Sequence, residues 1–494
     1  MQSSYSWKNL LILFIVAFLI RATVFFFYIQ HHERYRQADS MDYHICTVML
    51  SLKGAMHHPQ TAKPIFWRTP GYPVYLSWFY NWYDIKNMQF NAWESAQKTT
   101  IWFQIFLCSF TPILTFFLAF LLTSSLLLSW IVAWIFVFHI GFILASCYLL
   151  TDALAILFFF AFLLLFYTSF CIIGQLKCNQ QNSLLWITFA ALSLGLYTWL
   201  RPNGIFIAVI ASFILLLAND NWQKKVLKIC LFLSMFFLFL SPWYIRNYNF
   251  TGKCFFCPMS GPYLLAFSAP KILRRISNKP LDQCIKYLTY NVSKELSKQE
   301  ELCKIITPDL VVPQELICGQ IALPWIKKYP MFFLIDWCKE AAKTTFDLYG
   351  SQLVAFANNS YTYDPLEEFL TEKLQLCLYK QPMHWLMRFL CWLEALFYIF
   401  IWLGIFGGIL IFLIYYSWQK QKTLEIKKLQ LLWIKTGLMI GGLVFMTGGF
   451  GYARLRMPAE PLIIILSLTF WLWLIFENYK GIKSHGNSVC TVEK

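Results

Sequence analysis

The chain carries a succession of apolar runs long enough to cross a bilayer. The first is NLLILFIVAFLIRATVFFFYIQ, from Asn9 to Gln30. A spanning helix needs about 20 mostly apolar residues, because lipid offers no partner to exposed backbone N–H and C=O groups. Further runs lie at about 99–122, 126–147, 153–174, 184–200, 203–218, 226–242, 388–417, 431–449 and 461–477, so about ten spans are expected. Composition agrees: only 13% of the 494 residues are charged, against about 25% in soluble domains. Disorder and a water-soluble multidomain enzyme are both excluded by this reading. The first run is too long for a signal-peptide core and has no small-residue cleavage site, so it reads as a retained span.

Lysine and arginine in the short loops set orientation. With the N-terminus cytoplasmic, Lys8, Lys177, Lys224, Lys225, Lys228, the run QKQKTLEIKK at 419–428 and the tail after Tyr479 all fall on one side. Both termini are therefore expected in the cytoplasm. Two long segments then face outward, His31–Lys98 and one from about Pro242 to His384. The division follows: an N-terminal transmembrane module over 1–249 that includes the 31–98 loop, an extracytoplasmic domain over 250–387, and C-terminal helices with a cytoplasmic tail over 388–494. Within the outer domain, 281–306 has helical periodicity, and 324–350 reads as two helical pieces, the second after Pro330. A net charge of +16 suggests nucleic acid in a soluble chain; here it reflects cytoplasmic lysines and phosphate head groups, and no nucleic-acid partner is expected.

Ionisable groups in or beside spans are costly and need a reason. Arg21, Asp152, Arg201, Arg246, Arg454 and Arg456 all map to the outer face in this topology. They are joined there by Asp39 and Asp42 in RQADSMDYH and by Arg68 in RTPGYP. Arginine offers a permanently charged fork of donors that fits phosphate oxygens, and a carboxylate serves an acceptor hydroxyl or amine as base. Together they point to chemistry on a lipid-linked phosphate. The bland alternative is that each arginine snorkels to head groups, that Asp39 caps a helix, and that Pro70-Gly71 is simply a turn. Glu394 and Lys435 also fall within spans and receive no role. Histidines 31, 32, 57 and 58 read as solvated loop residues rather than metal ligands. Of the 15 cysteines, Cys254, Cys257, Cys284, Cys303, Cys318, Cys338 and Cys377 lie in the outer domain; Cys254-Phe-Phe-Cys257 reads as a local disulfide or free thiols. There is no Walker loop, no GxSxG and no HExxH.

The strings DSMDYH at 39–44, RTPGYPVYL at 68–76, TDALA at 151–155, LRPNG at 200–204, PWYIRN at 242–247, WIKKYPMFFL at 325–334 and ARLRMPAEP at 453–461 resemble, in this order, the GT-C superfamily of membrane glycosyltransferases. The nearer branch holds lipid A aminoarabinose transferase and protein O-mannosyltransferase. The resemblance implies an all-α polytopic bundle with an extracytoplasmic α-rich or α/β domain. It implies inverting transfer of a sugar from a polyprenyl-phosphate donor to an extracytoplasmic lipid, glycan or protein. The enzyme would be multi-pass, in the inner membrane if bacterial, among membrane lipids, with its active site on the extracytoplasmic face. It also implies Asp39 as base and Asp152 as the second acidic residue. Arg68, Arg201, Arg246 and Arg454 would bind the donor phosphate. Tyr43, Asp42, Arg21, Tyr72 and Arg456 would line the cavity. Relatives often have a second acidic residue beside the first, where this chain has Ser40, so a Mg or Mn ion stays open. A transporter or flippase of lipid-linked sugars and a non-catalytic scaffold are the rival readings; no half-to-half similarity favours the former.

Overall fold

Prolines inside apolar helices show how this sequence solves the membrane problem. In the computed structural model, Pro242 sits within the helix Trp222–Thr251, where its missing N–H leaves the Leu238 carbonyl without its usual donor. The Ser241 hydroxyl donates to that carbonyl at 2.8 Å. Pro112 does the same to Cys108, and the Thr111 hydroxyl answers at 2.7 Å. At both places the carbonyl that the proline cannot serve finds a hydroxyl donor instead.

The structure describes residues 6–30, 35–37, 39–80, 90–169, 180–218, 220–307, 310–349, 385–418, 424–446 and 453–489. They are mostly helical, with no strand among the described residues beyond one isolated bridge between His57 and Pro64. Where they are described, the expected apolar runs fall on helices, those at 99–122 and 126–147 each on a pair; residues 170–174 and 447–449 lie outside the described residues. Six helices are long and apolar enough to span: Trp7–Phe27, Trp93–Thr123, Ser183–Leu200, Trp222–Thr251, Trp392–Ile411 and Arg454–Ile475. A seventh run, Leu126–Phe138 with Ile140–Cys147, is bent by 48° at His139. The runs at Asp152–Thr168, Gly204–Leu216 and Trp433–Met446 are shorter apolar helices, so among the described residues six helices, or seven with the bent pair, are long and apolar enough to span, where about ten were expected.

Most of the bundle shares one apolar core. Phe159, Phe162 and Phe166 pack against Ala190, Ala191 and Leu194, and Ile207, Ala208 and Ala211 join the same core. Alanines permit the close approach that helix association in lipid requires, where no hydrophobic drive separates one apolar surface from another. The outward faces remain apolar: Leu11, Leu19, Phe206, Phe213, Leu403 and Leu410 are all exposed. Apolar on both sides is the pattern of a lipid-bathed bundle.

The long polar segment after Trp222–Thr251 is helical where the sequence suggested. Leu281–Ile306 forms one helix with the expected bounds. The next two pieces are Gln314–Lys328 and Pro330–Phe346; the first starts ten residues before the expected 324 and carries Pro324 inside it. Pro330 opens the second at the first-turn position that proline tolerates. Cys254, Cys257, Cys284, Cys303, Cys318 and Cys338 carry free thiols, while Cys377, His31, His32, Lys177 and the run 419–423 lie outside the described residues.

Candidate active site

Two clips bring the sequence-distant motifs together. The Ser40 hydroxyl donates to the Leu149 carbonyl at 2.8 Å, and Leu149 N–H donates to the Tyr35 carbonyl at 2.9 Å. This fixes the start of the helix Ser40–Lys53 beside the turn that precedes Asp152. The Thr69 hydroxyl donates to the Leu200 carbonyl at 3.0 Å, fastening RTPGYP to LRPNG. Gly71 packs so closely there that a Cβ would lie 2.6 Å from the Trp199 carbonyl oxygen.

Six of the eleven residues singled out in the sequence converge on these joints. Arg68 donates from Nη2 to Asp39 Oδ1 at 2.7 Å, and from Nη2 and Nε to Asp42 Oδ2 at 2.7 and 3.1 Å. Arg201 pairs with Asp152. Arg454 bridges the two pairs, 4.0 Å from Asp39 Oδ2 and 3.7 Å from Asp152 Oδ1. The result is an unbroken alternation of charge: Asp42, Arg68, Asp39, Arg454, Asp152, Arg201. Tyr43 supports it, its ring under the Arg68 guanidinium at 5.0 Å and against Tyr72 at 5.1 Å. Tyr72 is buried, with its hydroxyl donating to Gln104 at 3.2 Å.

Asp39 occupies the N-cap position of its helix yet makes no capping hydrogen bond. Its carboxylate is turned to Arg68 instead, so the capping role does not account for it. Burial alone would push this carboxyl up. The charge and hydrogen bond of Arg68, with Arg454 and Arg201 behind them, outweigh burial and hold it below the ordinary carboxylate value. The two acidic positions also differ in access: the Asp39 side chain is 39% exposed and that of Asp152 only 3%. Only the first can meet an acceptor without rearrangement.

Three arginines are placed elsewhere, each occupied by backbone carbonyls. Arg246 donates to Ile65 and Met56 at 3.0 and 3.1 Å, with Trp243, Phe66 and Phe250 around its guanidinium. It ties the end of the helix Trp222–Thr251 to the segment that holds Met56 and Ile65. Arg21 is fully buried and donates to Ala17 in its own helix and to Phe136 in the last turn of Leu126–Phe138. Arg456, equally buried, pairs with Glu460 at 2.6 Å and donates to Thr344, Thr345 and Asp347. Neither lines the cavity that the sequence suggested. Tyr263, missed in the sequence, lies within the electrostatic reach of Asp39, Arg68, Arg454 and Arg201; burial first, then Asp39, push its hydroxyl up to about 12. No motif marks it.

The donor set does not suit a divalent ion. Asp39 and Asp42 share one guanidinium, Asp152 has its own, and no group of three His, Cys, Asp or Glu gathers among the described residues. No step below is routed through a metal.

No protein-family model matches the chain, and no curated protein matches its sequence. Solved structures do. The archaeal oligosaccharyltransferase AglB from Archaeoglobus fulgidus, in complex with an inhibitory peptide and a dolichol-phosphate, superposes with a TM-score of 0.51 at 12% identity over 99% of this chain. The Archaeoglobus fulgidus oligosaccharyltransferase tethered to an acceptor peptide containing the NVT sequon gives 0.51 at 11% identity over 100% of the chain. The chain has the GT-C membrane fold. It spans about half the length of these neighbours, 53% and 52%. The likeness is of fold, and it does not extend to the branch that holds lipid A aminoarabinose transferase and protein O-mannosyltransferase.

Proposed function

We propose that this protein is an integral-membrane glycosyltransferase. It moves a sugar from a polyprenyl-phosphate donor to an extracytoplasmic acceptor, with both its termini in the cytoplasm. The observation that carries this reading is the alternating cluster Asp42–Arg68–Asp39–Arg454–Asp152–Arg201, assembled from five segments distant in the sequence. A hydrophobic bundle gathers such a set only at a cost, and a lipid phosphate is the ligand whose chemistry repays it.

In the reaction, the acceptor hydroxyl or amine attacks the anomeric carbon. The bond from that carbon to the phosphate oxygen breaks, and the electron pair leaves with the lipid phosphate. Asp39 takes the acceptor proton. The resting cluster balances three carboxylates with three guanidinium groups. A donor phosphate must therefore draw an arginine away from a carboxylate. Arg454, the most distant partner of both Asp39 and Asp152, is the one most easily drawn. As that charge turns to phosphate, Asp39 loses part of what holds its pKa down and becomes a better base. Asp152 positions Arg201, and Arg68 keeps Asp39 aimed.

The test is transfer of radiolabelled sugar, from a pool of polyprenyl-phosphate hexoses and pentoses, by the protein in liposomes. Asp39→Asn should lower transfer by about 10²- to 10⁴-fold, the usual worth of a positioned base. Undiminished transfer by a folded variant sinks the assignment. Lipid-linked sugar crossing the bilayer with no transfer favours a flippase instead.

A further inference from the structure

The helix Pro330–Phe346 is amphipathic in the wrong sense for a water-facing domain. Its two acidic side chains turn inward: Asp336 pairs with Arg275 at 2.5 Å, and Glu340 with Lys271 at 2.9 Å. Its apolar side chains turn out. Met331 is 63% exposed, Leu334 and Ile335 are 43% and 44%, and Phe346 is 52%. At spacings of three, four and eleven residues these form a single stripe, and contiguous exposed apolar stripes mark a binding surface.

What covers the stripe is indicated by its neighbours. Trp337 donates its indole N–H to the Phe445 carbonyl at 2.7 Å, at the end of the apolar helix Trp433–Met446. Phe346 packs 5.3 Å from Trp402, within the candidate span Trp392–Ile411. The stripe is therefore continuous with the lipid-facing surface of the bundle. Lys327 and Lys328, both exposed, stand just before the helix, and Lys339 is exposed beside the stripe. Apolar residues flanked by lysines and interfacial tryptophan form the signature of a helix lying in a bilayer interface. The four charges at Asp336, Lys339, Glu340 and Lys343 keep this segment below any hydropathy threshold for a span.

We propose that Pro330–Phe346 is a membrane-embedded element of the outer domain. Its apolar stripe lies among acyl chains, and Lys327 and Lys328 contact the phosphates of anionic lipids. Benzoylphenylalanine placed at Leu334, and separately at Met331, tests this in the full chain. The protein is reconstituted in vesicles of phosphatidylglycerol with phosphatidylethanolamine, irradiated, and analysed by mass. Phospholipid adducts are expected at 334 and 331 and not at Lys294, which lies on an exposed polar stretch of the 281–306 helix. Using both positions guards against one variant failing to fold. Adducts to a second copy, or to another part of the same chain, with none to lipid, overturn the proposal. In the Leu334 background, changing Lys327→Gln and Lys328→Gln should lower the share of phosphatidylglycerol among adducts by roughly fivefold per lysine. An unchanged share overturns the head-group contact.

Discussion

Replacing Gly71 by alanine tests whether the site depends on the joint between RTPGYP and LRPNG. The added Cβ would lie 2.6 Å from the Trp199 carbonyl oxygen and 2.7 Å from its carbon, where ordinary contact begins at 3.4 Å, a shortfall of 0.8 Å at the oxygen. The obstacle is backbone in the last turn of a buried helix, so no side chain can swing aside. The strain is worth about 1–3 kcal/mol. It must also separate Arg68, three residues before Gly71, from Arg201, two residues after Trp199. Those two arginines anchor opposite ends of the cluster, and a misplacement near 1 Å costs on the order of 10²-fold in rate. Transfer by Gly71→Ala should therefore fall by at least about tenfold, with a melting midpoint lowered by only a few degrees. Gly441→Ala is the control, since a Cβ there meets nothing within 4 Å. Wild-type transfer and melting in Gly71→Ala would show that the joint yields freely, and the argument from rigid placement would be wrong. An equal loss in Gly441→Ala would show that the effect is not local to the joint.

Two further outcomes concern stability. Arg456→Gln leaves the Glu460 carboxylate buried without its partner and strips a donor from three helix-end carbonyls; unfolding should become easier by about 3–5 kcal/mol. Thermal unfolding in detergent measures this, and a midpoint within a degree of wild type would contradict it. His44 is held at about 4, below its ordinary 6.5, by burial and then by Arg36. The folded chain keeps it neutral while the unfolded chain protonates it, so stability should be level above pH 6.5 and fall as pH drops from 6.5 toward 4, by about 1.4 kcal/mol per unit. The midpoint followed against pH should lose this slope in His44→Gln.

The bundle was legible in the sequence because lipid imposes a length on every span, and the Asp39, Arg68, Asp152 and Arg201 motifs were legible because charge beside apolar helix is rarely idle. The division of labour among the arginines was not. Arg21, Arg246 and Arg456 carried the same local signal as Arg68, Arg201 and Arg454, a guanidinium in or beside an apolar run. What separates them is the acceptor, and the acceptor is distant in the chain: Phe136 for Arg21, Met56 for Arg246, Thr344 for Arg456. Two of these three serve helix ends, where the last four carbonyls lack intrahelical donors, and Arg246 serves a loop with the same need. An arginine that meets only carbonyls satisfies the backbone and is spent there. One that meets carboxylates where solvent can reach is half of a charge pair that a third, stronger anion can divide; Arg456 also meets a carboxylate, but that pair with Glu460 is wholly buried and three carbonyls hold it as well. That distinction makes Arg454 the expected point of entry for phosphate, although the sequence offered no reason to prefer it over Arg246. The 330–346 helix teaches the same lesson in apolar terms: periodicity reveals that a helix has two faces, and only the packing reveals which of them is turned toward lipid.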